Sequence, residues 1–240
     1  ACLVGSEMCI RDRCMTVEGH PSSTYMSLLD ERGEMYVALS DMSVLQRMDM
    51  EFIRRRESMI KGARLLVFDP ALPEAVIEGI TSQYGDALPL FCDPVSSAYA
   101  RRLKPYVGKV HTLKPNRMEL TVLTGHDTDT PKGVKAACEM LLCRGVKRIF
   151  VSMGHEGCLY MDSEGNVVQR ALSPIENIAN ASGAGDAFTA AVIYSYLKGF
   201  GINRTIDYAL AAGAVAVSAA TTINPEISPE LIEKIIIERG

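Results

Sequence analysis

The sequence predicts an α/β fold, a three-layer α/β/α sandwich around a mainly parallel sheet, with a small β-hairpin lid. Three observations carry that expectation. Short apolar runs alternate with longer stretches of helical period from residue 50 onward. Those runs are apolar on both faces, as strands covered on both sides must be. No repeat, low-complexity tract or linker interrupts them, so the 240 residues read as one layered unit.

Taken in order, the stretch 1–13 shows neither helical nor strand periodicity and has no signal-peptide form, because no basic segment precedes an apolar one. It is expected to be a non-native leader, with the domain running over 14–240. Alternating runs at 24–29 and 35–40 flank the turn Asp30-Glu-Arg-Gly33, the pattern of a hairpin with a Gly-containing loop. The lid is therefore assigned to 24–41. Helices are expected near 50–61, 73–84, 96–104, 116–124, 131–144, 184–198, 204–220 and 228–238. Strands are expected at 64–68, 88–92, 110–113 and 148–151.

Those four strands run into Asp69-Pro70, Asp93-Pro94, Lys114-Pro115-Asn116 and Ser152-Met153-Gly154. In open α/β sheets, ligands bind outside the carboxyl ends of the strands. Any one of these pairs is better read as turn or N-cap chemistry. Four at one sheet edge point to a site.

The sharpest local signal is Asn180-Ala-Ser-Gly183-Ala-Gly-Asp186-Ala-Phe188, a glycine-rich turn entering an apolar helix that stops at Gly199. Gly183 and Gly185 let successive N–H groups face one point at the positive end of the helix dipole, where an anion is held. Asp186 falls in the first turn, ready to accept a proton beside that anion. Donors for a charged phosphoryl group and a base for an attacking alcohol are what phosphoryl transfer requires. An ordinary N-cap, with Asp186 serving the dipole, is the open alternative. No G-x-x-x-x-G-K-[ST] occurs, and Phe188 stands where a dinucleotide fingerprint needs Gly or Ala.

Composition narrows the classes. Hydrophobic residues make up 48% and charged residues 22%, which excludes intrinsic disorder. A formal charge of −4 offers no attraction to nucleic acid or anionic lipid, and no apolar run is long enough to span a membrane. The seven cysteines are scattered without zinc spacing and read as reduced thiols of a cytoplasmic chain, Cys92 and Cys158 as buried small hydrophobes. Arg54, Arg55 and Arg56 read as a solvated helix face. Lys114 could reach a phosphate but reads more simply as a solvated lysine before Pro115.

The motif Gly183-Ala-Gly-Asp186-Ala-Phe188, with Asn116-Arg-Met-Glu119 and Ser152-Met-Gly154-His-Glu-Gly157 ahead of it, resembles the three ordered motifs of the ribokinase-like (PfkB-type) family of sugar and nucleoside kinases. The segments around Thr24, 38–42, 93–105 and 111–120 are most similar to the branch of that family acting on pseudouridine. The resemblance implies ATP-dependent transfer to a nucleoside 5'-hydroxyl. Asp186 would be the catalytic base, with an anion hole at Gly183, Ala184 and Gly185. Asn116, Ser152, Gly154 and Gly157 would bind nucleotide. Glu119 would act on Mg²⁺, as would Asp93 through water, and Thr24 would meet the substrate. The stretch 209–220, rich in Ala, would either admit adenine or pack helices tightly.

The cofactors expected are ATP and Mg²⁺. Monovalent-cation activation is put in doubt by Asn180, which stands where relatives carry Asp. The expected partners are a nucleoside or sugar acceptor and a second copy of the chain as a homodimer, not nucleic acid or membrane. The family's opening strands, with the residues that grip the sugar, are expected upstream of residue 14 and missing here. A kinase for ribose, adenosine or fructose, or an inactive nucleotide-binding fragment, are the alternatives.

Overall fold

The computed structural model describes residues 13–29, 35–173, 183–219 and 221–239. Residues 1–12 of the leader expected over 1–13, the turn at 30–33 and the residues Asn180, Ala181 and Ser182 lie outside the described residues.

The first two strands, β1 (Thr24–Leu29) and β2 (Met35–Asp41), pair antiparallel as a separate two-stranded sheet. The main sheet has six strands in sequence order: β3 (Leu66–Phe68), β4 (Leu90–Cys92), β5 (Thr112–Leu113), β6 (Arg148–Ser152), β7 (Cys158–Asp162) and β8 (Val167–Arg170). β3 to β6 are mutually parallel. β7 and β8 add antiparallel.

Each parallel crossover carries helix: α3 (Glu74–Tyr84), α4 (Ser97–Leu103), and then α5 (Arg117–Thr124) with α6 (Pro131–Cys143). Before them come α1 (Met50–Arg54) and α2 (Glu57–Lys61). Crossovers of one hand between strands laid down in order place their helices on one face. The other face is covered by the C-terminal helices α7 (Ala184–Lys198), α8 (Ile202–Val217) and α9 (Pro229–Arg239).

Strand alternation divides the core accordingly. Leu90, Cys92, Ile149, Val151, Leu159 and Met161 pack with α1 to α6. Phe91, Phe150, Cys158 and Tyr160, one residue out of step, pack with α7, α8 and α9. Period-two alternation within strands apolar on both sides thus produces two cores and three layers. Cys92 and Cys158 are buried, as expected.

Two elements differ from expectation. The helix foreseen over 50–61 is broken, because the Arg56 guanidinium lies 3.5 Å from the Phe52 ring centroid and its Nη1 donates to the Phe52 carbonyl at 3.0 Å. The Arg56 amide turns instead to Ile53 O at 2.9 Å. Arg54 and Arg55 pair with Glu51 on the surface, while Arg56 shapes the break.

The hairpin β7–β8 was not expected. Its turn is held by Asp162, whose Oδ1 accepts from the amides of Glu164 and Asn166 at 3.0 Å each, with Gly165 at φ 89°. An Asp-x-x-Gly turn between two apolar runs was a readable hairpin signal. Among the described residues no helix is long and apolar enough to cross a membrane.

Candidate active site

Four strand ends meet at the carboxyl edge of the parallel sheet. β3 ends before Asp69, β4 before Asp93 and β5 before Lys114. Beyond β5, Asn116 forms an isolated parallel bridge with Ser152 at the end of β6. The N-terminal half of α7 comes to the same edge, since Thr189 Oγ1, in its second turn, donates to Asp93 Oδ2 at 2.8 Å across 96 positions of sequence.

The start of α7 is built to leave donors open. Gly183, its N-cap, has φ 85° and supplies no side-chain cap. The first bond within the helix runs from Ala187 N to Gly183 O at 2.9 Å. The amides of the turn before it therefore have no partner inside the helix. Four other helices are closed by side chains, with Asp49 capping α1, Ser96 α4, Asn116 α5 and Thr130 α6, while α2, α3 and α8 share the lack of a side-chain cap. At the start of α7 the helix dipole and the amides without a partner inside the helix favour an anion.

Asp186 lies in that first turn, open to solvent, and makes no ion pair among the described residues. Partial dehydration of its carboxyl raises its pKa above the ordinary value; repulsion by Asp93 adds to this and attraction by Lys114 opposes it. Asp69 is raised chiefly by desolvation, with Asp93 and Asp186 adding and the Ala71 amide opposing. Burial likewise raises Glu119, with Asp93 adding to the shift. Each of these three carboxylates thus senses Asp93, which ties them to one local field.

The positive charge of Lys114 acts on both Asp186 and Glu119, holding their carboxyls down against burial, and its setting corrects an expectation. It is not solvated: its side chain is 9% exposed and its Nζ lies 2.8 Å from Asp93 Oδ2. Asp93 Oδ1 meanwhile accepts from Val95 N at 3.0 Å. Both Asp93 oxygens are engaged. Val95 sits at φ 64°, an unusual backbone for a β-branched residue.

Asn116 and Glu119 are revealed as a capping box. Asn116 Oδ1 accepts from Glu119 N at 2.9 Å, and Glu119 Oε2 accepts from Asn116 N at 2.9 Å. The spacing N-x-x-E has this local reason as well as any ligand role. Glu119 is only 3% exposed.

The next residue, Arg117, reaches across to the turn after β6. Its Nη2 donates to Glu156 Oε2 at 2.7 Å and lies 3.7 Å from Met153 Sδ. The loop carrying Gly154 and Gly157 is thereby tied to the start of α5. Gly157 also has a packing reason, because a Cβ there would fall 2.0 Å from Arg170 O.

Of the expected site residues, the structure gathers Asp93, Asn116, Glu119, Ser152 and Asp186 with Gly183, Ala184 and Gly185 at one sheet edge. Gly154 and Gly157 follow in the adjoining turn. Thr24 lies opposite Asp41 at the start of β1, in the separate two-stranded sheet. The small residues of α8 pack helix against helix: Ala209, Ala211 and Ala212 are fully buried, and a Cβ on Gly213 would lie 3.7 Å from Ala184 O.

Thr189 was missed by the sequence reading, and Lys114 was noted but read as solvated. Thr189 stands four residues after Gly185, on the same helix face, a spacing that could have found it. For Lys114 no local signal separates a buried from a solvated lysine.

Comparison with known proteins gives the family and the fold. The profile of the pfkB family of carbohydrate kinases matches residues 10–229. The chain is 32% identical over 218 residues to the pseudouridine kinase of Escherichia coli K12, covering 90% of this chain and 69% of that protein. It is 24% identical over 217 residues to YeiI, an uncharacterized sugar kinase of the same organism, covering 90% of this chain and 59% of that protein. The structure of Arabidopsis thaliana ribokinase complexed with ribose and ATP shares the fold, with a TM-score of 0.75 at 20% identity over 91% of this chain and 70% of that one.

Proposed function

The chain belongs to the pfkB family of carbohydrate kinases, which are phosphotransferases, and from that premise we propose that it transfers the γ-phosphoryl group of ATP to the 5'-hydroxyl of a nucleoside, pseudouridine. The observation that carries the reaction is the uncapped glycine start of α7 with Asp186 in its first turn, facing the strand ends. The observation that favours the acceptor is the 32% identity to a pseudouridine kinase.

In this reading Asp186 takes the proton of the acceptor hydroxyl as its oxygen attacks phosphorus, a role worth about 10²–10⁴ in rate. The amides of Gly183, Ala184 and Gly185 receive the charge that builds on the phosphoryl oxygens. Asn116 and Ser152 at the strand ends, with Gly154 and Gly157 in the tethered turn, line the nucleotide side, and Thr24 on the lid meets the acceptor.

The donor set suits Mg²⁺, which keeps several waters and takes one or two carboxylates with substrate phosphates. Glu119, buried and using Oε2 for the cap, would hold it through water. Asp93, with both oxygens engaged, would act at most through a further water. Bound there, the ion would neutralise phosphate charge. Among the described residues no group of three or more His, Cys, Asp or Glu is placed to hold a metal alone.

The test is a panel of acceptors with ATP and coupled detection of ADP: pseudouridine, uridine, adenosine, ribose and fructose. Turnover highest with pseudouridine is expected. ADP release with ribose or fructose instead would move the chain to the sugar kinases. No release with any acceptor would remove the kinase reading.

A further inference from the structure

The amino edge of the parallel sheet, opposite the candidate active site, holds an open crevice of about 540 Å³, lined by the segments that enter β4, β5 and β6. That volume lies within the roughly 300–1,000 Å³ of small-molecule sites. Its walls are set by backbone packing. A Cβ on Gly108 would fall 2.3 Å from Arg144 O, and one on Gly145, at φ 119°, would fall 2.5 Å from Gly108 O. No larger residue lets these two loops approach so closely, so the crevice stands preformed.

The charge of the lining is one-sided. Lys109, Arg144 and Lys147 are matched by one carboxylate, Asp86. Both Asp86 oxygens are taken by Lys109 Nζ, at 2.9 and 3.0 Å. Arg144 Nη2 donates to a neutral acceptor, Lys104 O, at 2.6 Å. Neither Arg144 nor Lys147 makes an ion pair among the described residues, and neither does the adjoining Arg148.

That charge reaches into the crevice. The His111 ring lines it, and its pKa is lowered to about 4 by desolvation first and then by Arg148 and Lys147. A chain of net charge −4 thus keeps an unneutralised positive hollow. Like charges gathered without a counter-charge repel one another, and a bound anion removes that cost.

We propose that this crevice is a second anion site, taking the phosphate group of a small molecule through Arg144 and Lys147, with the rest of the molecule against Leu88, Pro89 and the His111 ring. A guanidinium fork and an ammonium point charge both suit phosphate oxygens. The site is separate from the strand-end cluster, because β6 alone puts roughly 13 Å between Arg148 and Ser152.

The experiment titrates isotope-labelled protein with inorganic phosphate and with ribose 5-phosphate at constant ionic strength, following the histidine rings by NMR. His111 reports the crevice, and His155, in the turn after β6, reports the candidate active site. The signal lost in His111→Phe assigns the first. In wild type the His111 signal should shift saturably, and its pKa should rise from about 4 toward 6.5, because a neighbouring anion favours the protonated ring. Tighter binding of ribose 5-phosphate would support the site with a phosphate monoester as occupant. Equal binding would support it with free phosphate as occupant.

Lys147→Gln and Arg144→Gln should each weaken binding by about tenfold or more, since each removes a charge-assisted hydrogen bond. If Arg144→Gln does not fold, Lys147→Gln alone decides. A His111 signal that stays fixed or moves without saturation would overturn the proposal. So would an affinity that Lys147→Gln leaves unchanged, or a shift confined to His155.

Discussion

Gly183→Ala tests the anion receptor through its backbone, and Gly199→Ala provides its control at the other end of the same helix. Both glycines are left-handed, at φ 85° and φ 71°, so an alanine at either carries the strain of that conformation, about 1–2 kcal/mol. They differ in surroundings. A Cβ at 199 meets nothing within 4 Å, whereas a Cβ at 183 falls 2.1 Å from Thr222 O. No rotamer relieves a clash with a backbone oxygen. Either the helix start or the Thr222 segment must move by roughly 1 Å, and such overpacking costs about 1–3 kcal/mol more.

In a domain of this size each kcal/mol is worth about 2–4 °C of melting temperature. Gly199→Ala should therefore melt about 2–8 °C lower than wild type, and Gly183→Ala about 4–20 °C lower. Scanning calorimetry reads the difference. Coupled ADP release should show Gly199→Ala with near wild-type kcat and Gly183→Ala impaired by at least tenfold, because its amides no longer converge. Equal thermal losses would refute the packing argument. A fully active Gly183→Ala would refute the anion receptor.

Two further outcomes are expected. Asp186→Asn should lower kcat by about 10²–10⁴-fold while leaving melting temperature and ATP affinity nearly unchanged; retention of most activity would take Asp186 out of the mechanism. Because its pKa is raised above the ordinary carboxylate value, the acid limb of the wild-type kcat/KM profile should also lie higher than for a solvated aspartate.

His111 supplies a pH test away from the site. Desolvation first, then Arg148 and Lys147, lower its pKa from 6.5 to about 4, so between those values the unfolded chain binds the proton more tightly. Stability should therefore fall as pH drops from 6.5 toward 4, and His111→Phe, which keeps the stack on Phe91, should flatten that slope. Parallel slopes for the two proteins would show that other groups carry the acid sensitivity.

Much of the fold was legible because burial writes itself as period. Runs apolar on both faces marked β3 to β6, and the helical period marked α3 to α9. Where one side chain decided the backbone, reading failed: the Arg56 guanidinium broke a continuous helical pattern, and the Asp162 turn created an edge hairpin. The N-x-x-E segment shows the converse. Its capping box is a local device, readable from spacing, and it lay hidden behind the ligand role that the resemblance implied.

The sequence by itself determined the layered α/β class, the carboxyl edge at which strand ends collect, and the glycine turn with Asp186 at its helix start. These are local properties, set by periodicity and by what glycine permits. Only the tertiary structure decided that Lys114 is buried against Gly185 and paired with Asp93, that Thr189 completes the pair, and that Arg117 holds the turn after β6. Each joins residues distant in the chain, and whether a charge is solvated or matched depends on neighbours that folding alone brings within 3 Å.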